Sequence, residues 1–392
     1  MQTVKLGTLG TFQSGGTPKK SEPRFFGGKI PWISTTALDG APIGAEAAAT
    51  FLTDDALRHS AAKLVPAGSL LVGIRIGIGK NAVNRVPMAT SQDIVAITGI
   101  DTDRWSLPYL MLFLEAARPR LQSLARGATI QGIQTGDIKN LDVPDLPLAE
   151  QQRIVRELQQ VGALLANRRQ VDEQLAELPK ARFVEMFGDP VVNPMGWKVV
   201  HIKDICTVSS SKRLYQKDLT SSGIPFLKIA DLVAKINGTP ENPTSCLTER
   251  AYDDLRQQNA VPQANDILVT ARGTLGLCYI VQPEDRFYFQ DGMISWLRTS
   301  DARIEPVFLT TLFQLPIVRL QIQKVVTGST IAYLSLEQLA DFRVPLPPLP
   351  AQRRFAAFAR ACAAQRAACA RQIAVLETLR GKLLQDAFGA AG

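Results

Sequence analysis

One stretch of this 392-residue chain occurs twice. Gly127 to Arg153 reads GATIQGIQTGDIKNLDVPDLPLAEQQR, and Gly328 to Arg354 reads GSTIAYLSLEQLADFRVPLPPLPAQRR. The two align without a gap at an offset of 201 residues, pairing Thr129 with Thr330, Ile130 with Ile331, and Val143-Pro144 with Val344-Pro345. The offset persists downstream, where Leu178, Phe187 and Gly188 face Leu379, Phe388 and Gly389. Solenoids and propellers repeat every 20–50 residues or so, and this period is far longer. The chain must therefore fold as one large unit, duplicated.

Each unit turns on a Pro-rich hinge. Before it, short strand-like runs are set between Gly and Pro breaks; after it, apolar residues recur at helical spacing. Proline at a helix start loses nothing, because that N–H would be unpaired anyway. Pro350 fits such a position, and its counterpart Ala149 is a strong helix former. The predicted order is globular part, helix, globular part, helix, over residues 1–148, 149–190, 191–349 and 350–392. The class is α+β.

The first globular part opens on Val4 to Leu9 as a short strand or strand-turn, followed by the loop Ser14-Gly15-Gly16-Thr17-Pro18-Lys19-Lys20. Strands are expected at Lys29–Ile33, Leu70–Arg75 and Ser91–Ile97, and a helix at Pro108–Ala117. The second part answers in the same order: Val200-His201-Ile202, Ile224 to Leu227, Ile267 to Arg272, and Gln290-Asp291 against Gln92-Asp93. Offsets drift between 194 and 198 here, so the hinge and helix keep their register while the loops diverge. Divergent loops on a repeated scaffold are where specificity usually sits.

The helices carry a sustained period near 3.5, which argues for a coiled-coil contact. In the first the expected seam is Val161, Leu164, Val171, Leu175 and Leu178, interrupted by Glu157, Arg168 and Arg182. In the second it is Phe358, Cys362, Gln365, Cys369, Gln372, Leu376, Leu379 and Leu383. Pro179 predicts an end or kink near Leu178, leaving roughly 30 residues of rod. Two similar helices can pair about a pseudo-twofold axis, antiparallel, with a globular part at each end. The alternative is that each helix packs only on its own globular part.

A formal charge of +8 and a pI near 9.3 favour a polyanionic partner. The cationic candidates are Lys19, Lys20, Arg75, Lys80, Lys212, Arg213 and Arg272, with Thr274 beside the last; they lie in or next to matched turns. An arginine ends a strand in both copies, beside a Gly-containing turn, where it can contact phosphate or guanine. Gly73 to Lys80 departs from a Walker A loop, since Asn81 follows the lysine. Gly77, Gly79 and Ala82 match the looser dinucleotide fingerprint, which requires a βαβ context.

Other chemistry is absent. Cys206, Cys246, Cys278, Cys362 and Cys369 form no CxxC pair, and His59 and His201 are the two histidines, which excludes the usual zinc spacings. No NPPY-like segment marks an adenine methyltransferase, Asn193-Pro194-Met195 being the nearest, and no nuclease carboxylate cluster or nucleophile triad stands out. Trp32 reads as core before it reads as a base-stacking platform. Scattered cysteines and the lack of a signal peptide or an apolar run of about 18 residues predict a cytoplasmic protein that crosses no membrane.

This duplicated order resembles the specificity (S) subunit of type I restriction–modification systems, the HsdS family. The resemblance rests on SGGTP at Ser14–Pro18, KIPWI at Lys29–Ile33, G-x-T-I before each hinge, and Pro-Leu-x-x-Gln at Pro147–Gln151 and Pro348–Gln352, and it covers essentially the whole chain. Ala351 replaces Glu150, and Ser209–Arg213 replaces the Gly-Gly-Thr-Pro loop. The resemblance implies a non-catalytic reader of double-stranded DNA. Each globular part would be a target recognition domain for one half of a split, asymmetric sequence. The paired helices would set the gap and dock two methylation subunits, which restriction subunits join. No cofactor is implied for this chain; S-adenosylmethionine would sit on the methylation subunit, ATP and Mg on the restriction subunit. The rival readings are a DNA-binding adaptor of another defence or recombination system, and a stand-alone enzyme using the Gly77–Ala82 loop to bind a nucleotide.

Overall fold

The structure is a computed structural model describing residues 2–127, 131–239, 243–299, 301–326 and 333–389. Thr129, Ile130, Gly328, Thr330 and Ile331 of the G-x-T-I motifs lie outside the described residues. The chain divides into two compact units. One comprises residues 1–169 with 371–392, the other residues 170–370. Each unit thus takes a globular module, part of the first long helix and part of the second.

In the first unit the main sheet joins Thr11–Ser14, Ile94–Thr98, Leu70–Gly73, Asn81–Asn84 and Pro42–Ile43, in that spatial order. Its first four strands are mutually antiparallel. Leu70, Leu71, Val72 and Ile94 to Ile97 are all fully buried, as continuous apolar runs require. A smaller sheet carries Phe26–Ile33, which pairs in parallel with Met88–Thr90. The helix Leu107–Ser123 is capped by Ser106 and presses Tyr109, Leu110, Phe113, Leu114, Ala117 and Leu121 into the core. Thr3–Lys5 pairs with Asp142–Pro144, tying the start of the module to its hinge.

The second unit repeats this plan. Thr207–Ser209, Ile294–Arg298, Ile267–Thr270 and Cys278–Ile280 are ordered like their counterparts, and Ile224–Leu227 pairs in parallel with Tyr288–Phe289. Val199–His201 pairs with Arg343–Pro345, the mirror of the first hinge.

Both long helices contain 40 residues, Leu148–Phe187 and Leu349–Phe388. The helix therefore runs on through Pro179, so of the two expected outcomes, an end or a kink near Leu178, the end does not occur. Proline removes one hydrogen bond but does not oblige a helix to stop when the next turns are held. Here they are: Phe183 and Phe187 are buried among Phe308 and Phe355, with ring centroids 5.0–5.7 Å apart.

Within each unit the two helix segments run antiparallel. In the first, Arg169 meets Glu377 at 2.7 Å, while Leu383, Leu384 and Ala387 pack on the core that holds Ile154 and Leu158. In the second, Arg366 grips Asp172 through two bonds of 3.0 and 3.1 Å, and Phe183 meets Phe355. The buried face differs from the expected seam. It passes through Leu158, Val161 and Leu165, leaving Leu164 50% and Leu178 44% exposed, with Val171 and Leu175 partly buried. On the second helix Phe355, Ala359, Cys362 and Cys369 are buried, Phe358, Leu376 and Leu383 partly so, and Gln365, Gln372 and Leu379 exposed. The physical cause is phase: from Val161 the buried row steps four residues to 165, not three to 164, and continues four-three.

Candidate nucleic-acid interface

The strand order brings three loops to one end of each main sheet. In the first unit these are the loop after Ser14, the turn before Ile94, and the hairpin loop between Gly73 and Asn81. Backbone bonds sew them together: Gly15 N–H donates to Ile94 O at 3.0 Å, Gly16 N–H to Thr90 O at 2.9 Å, and Ile74 N–H to Asp93 O at 2.8 Å. The glycines of SGGTP serve this approach. A Cβ on Gly15 would fall 2.2 Å from Ser91 O, and one on Gly16 would fall 1.9 Å from Ala61 O. No side chain fits there.

Lys19 and Lys20 stand exposed on the first of these loops. Arg75 is exposed on the hairpin loop, with Nη1 3.6 Å from Asp93 Oδ1, and its stem lies against Gly132. Lys80 is partly buried, its chain running beside Gly77. Ile76, 64% exposed, forms the tip. Trp32 is partly buried and donates from Nε1 to Gly16 O at 3.1 Å, which makes it a support for the loop.

The second unit builds the same end from different side chains. Ser210 and Ser211 replace the two glycines, and their hydroxyls donate to Ile294 O at 3.2 Å and Phe289 O at 2.7 Å. Arg213 Nε bonds Asp291 at 2.8 Å, and that carboxylate holds the guanidinium more firmly protonated than usual. Lys212 reaches Gln258, and its backbone N–H donates to Tyr288 Oη at 2.8 Å. Arg272 is partly buried with its guanidinium 5.1 Å from the centroid of Tyr333, to which its backbone also bridges. Tyr333 occupies the place of Gly132 in the first unit. Thr274 is exposed, and its carbonyl accepts from the Thr270 hydroxyl.

The eight predicted residues therefore fall on two matched surfaces, one per unit. Asp93 and Asp291 complete them, each holding one arginine; the sequence signal was their repeated Gln-Asp pair. The hairpin loop also overturns the dinucleotide reading. Leu70–Gly73 and Asn81–Asn84 are antiparallel neighbours, so Gly77 and Gly79 lie in the hairpin loop between them, Ala82 lies in the second strand, and no helix opens there. Gly79 and Gly276 adopt φ of +76° and +74°, as the tight turn demands.

The family model described as type I restriction modification DNA specificity domain matches residues 1–177 and again 194–373. The chain belongs to this specificity family. Its members include the type I restriction enzyme MjaIX specificity subunit of Methanocaldococcus jannaschii, 22% identical over 97% of this chain and 90% of the relative. The EcoR124I/EcoR124II specificity subunit of Escherichia coli is 27% identical over 41% of this chain and 40% of its own. The S subunit structure from M. genitalium superposes with a TM-score of 0.59 at 16% identity, covering 99% of this chain and 96% of that one. A chain from a study of complex assembly and conformational transition in a type I system gives 0.63 at 18% identity, covering 99% and 97%. The fold of the family is thus two α/β modules joined by two long helices. Among the described residues no helix is long and apolar enough to cross a membrane.

Proposed function

We propose that this chain is the non-catalytic DNA-reading subunit of a type I restriction–modification enzyme. Each three-loop surface reads one half of a bipartite, asymmetric duplex sequence, and the long helices set the gap between the halves. The observation that carries this reading is the repetition of one cationic three-loop end in both units, on sheets whose four shared strands follow the same order. Arginine and lysine there can bind phosphate, and arginine can also pair with guanine in the major groove. The exposed Leu164, Leu178 and Leu379 offer apolar contacts to two methylation subunits, which restriction subunits join. S-adenosylmethionine belongs to the methylation subunit, ATP and Mg to the restriction subunit, and the assembly works in the cytoplasm.

The test is a module exchange. Replacing Met1–Leu148 with the same part of a relative should change one half-site and leave the other half and the gap intact. A chimera that assembles and changes both halves together contradicts independent reading.

A further inference from the structure

We infer that Gln151 and Gln352 are positioning residues that lock each recognition module to the long helix following it, and so fix the gap at which two half-sites are read. This rests on the functional reading above. Both glutamines are 0% exposed. Gln151 Oε1 accepts from Ser106 N–H at 2.9 Å, while Nε2 donates to Arg104 O at 3.0 Å and Leu146 O at 2.9 Å. Gln352 repeats this: Oε1 accepts from Glu305 N–H at 3.0 Å, and Nε2 donates to Arg303 O at 3.0 Å and Pro347 O at 2.8 Å. Each side chain thus joins three segments, namely the turn entering a core helix of the module, the hinge, and the first turn of the long helix.

The surroundings show what is being kept. Hinge residues around the pair differ between the copies: Asp145 against Leu346, Ala149 against Pro350, Glu150 against Ala351. Ser106 and Glu305 differ too, yet each contributes only its backbone N–H. The peripheral ion pairs also differ, Arg104–Asp145 in the first unit and Arg360–Glu305 in the second. The Pro-Leu before it and the glutamine itself are kept, and the glutamine meets the same three backbone positions in both copies. If the position needed only filling, an apolar side chain would serve without the cost of burying an amide. Hydrogen bonds restrict direction as well as distance, and an angular error at the hinge grows along the module. A directional joint at this point controls where the loops meet DNA without touching it.

The experiment uses the full chain with its methylation partner, on duplexes whose gap varies one base pair at a time. Gln151→Leu and Gln352→Leu each remove three hydrogen bonds and should reduce the preference for the best gap over its neighbours by about tenfold, while base preference within both half-sites stays as it was. Gln151→Glu accepts from Ser106 but cannot serve both carbonyls, so it gives the same flattening where the leucine variant fails to assemble. An assembled variant with the parental gap profile overturns the proposal, as does one that loses base preference in step with gap preference. A parental chain showing no bipartite selectivity would overturn the functional reading instead. The joint is then read directly, from spin labels on Lys63→Cys and Gln160→Cys in the first unit: a broadened distance distribution in Gln151→Leu upholds the lock, and an unchanged one overturns it.

Discussion

Phe388 closes the last turn of the second long helix and is 3% exposed. Its ring lies 5.1 Å from that of Tyr109 and 5.9 Å from that of Phe113, both on the core helix of the first module. Leu383, Leu384 and Ala387 pack beside it, and Arg380 forks onto Glu115 with bonds of 2.5 and 2.7 Å. Phe388→Ala removes a buried ring, a change that costs about 3–5 kcal/mol in cores. The last turn of a helix can relax into part of the space, so the lower end applies: ~3 kcal/mol, or roughly two decades in local opening. Hydrogen exchange followed by mass spectrometry should show residues 376–388 exchanging faster by that factor, with the main sheet of the first unit unchanged. Phe187→Ala, the matched change, removes a ring held by three other phenylalanines in mid-chain and should cost toward ~5 kcal/mol. Parental exchange in the last helix of a folded Phe388→Ala protein would refute the docking of that helix on the first module.

Two further outcomes are expected. Arg75→Ala and Arg272→Ala should each cost about 1–3 kcal/mol on the cognate duplex and relax one base position if the arginine reads a base, whereas a lost phosphate contact, as expected for Lys20→Ala, lowers the salt slope by about one unit without regard to sequence; titrations on specific and scrambled duplexes separate the two, and no effect at any of these sites places the interface elsewhere. All five cysteines are buried, and burial pushes the Cys206 and Cys278 thiols up to about 12, so a thiol reagent at neutral pH should react with the folded protein slowly and with five groups after denaturation.

Duplication made much of this legible. A repeat compared with itself reveals which positions are fixed, and that was enough to place strands along the chain, locate the hinges and find the arginine just past matched strands. It also marked Gln151 with Gln352, Asp93 with Asp291, and Phe187 with Phe388, although their roles appear only once their partners are seen. Those partners lie far along the chain: Gln151 bonds backbone groups 45 and 47 residues away, and Phe388 packs on Tyr109. The helix seam was harder to read. Its buried row includes alanines such as Ala356 and Ala359 and is crossed by the pair Asp172–Arg366, while Leu164, Leu178 and Leu379 face outward. Ranking by hydrophobicity therefore chose the neighbouring phase. Pro179 misled for a related reason, since the hold that Phe183 and Phe187 exert on the last turns is a tertiary effect.

If two matched surfaces each read half of one target, the pattern of methylated positions shows it, mapped across the genome of a strain that carries this chain with its methylation partner, against the same strain lacking the chain. Modification is expected at one asymmetric motif with two specified parts separated by a gap of fixed length and free sequence. A continuous motif, or modification that persists unchanged without this chain, would contradict it.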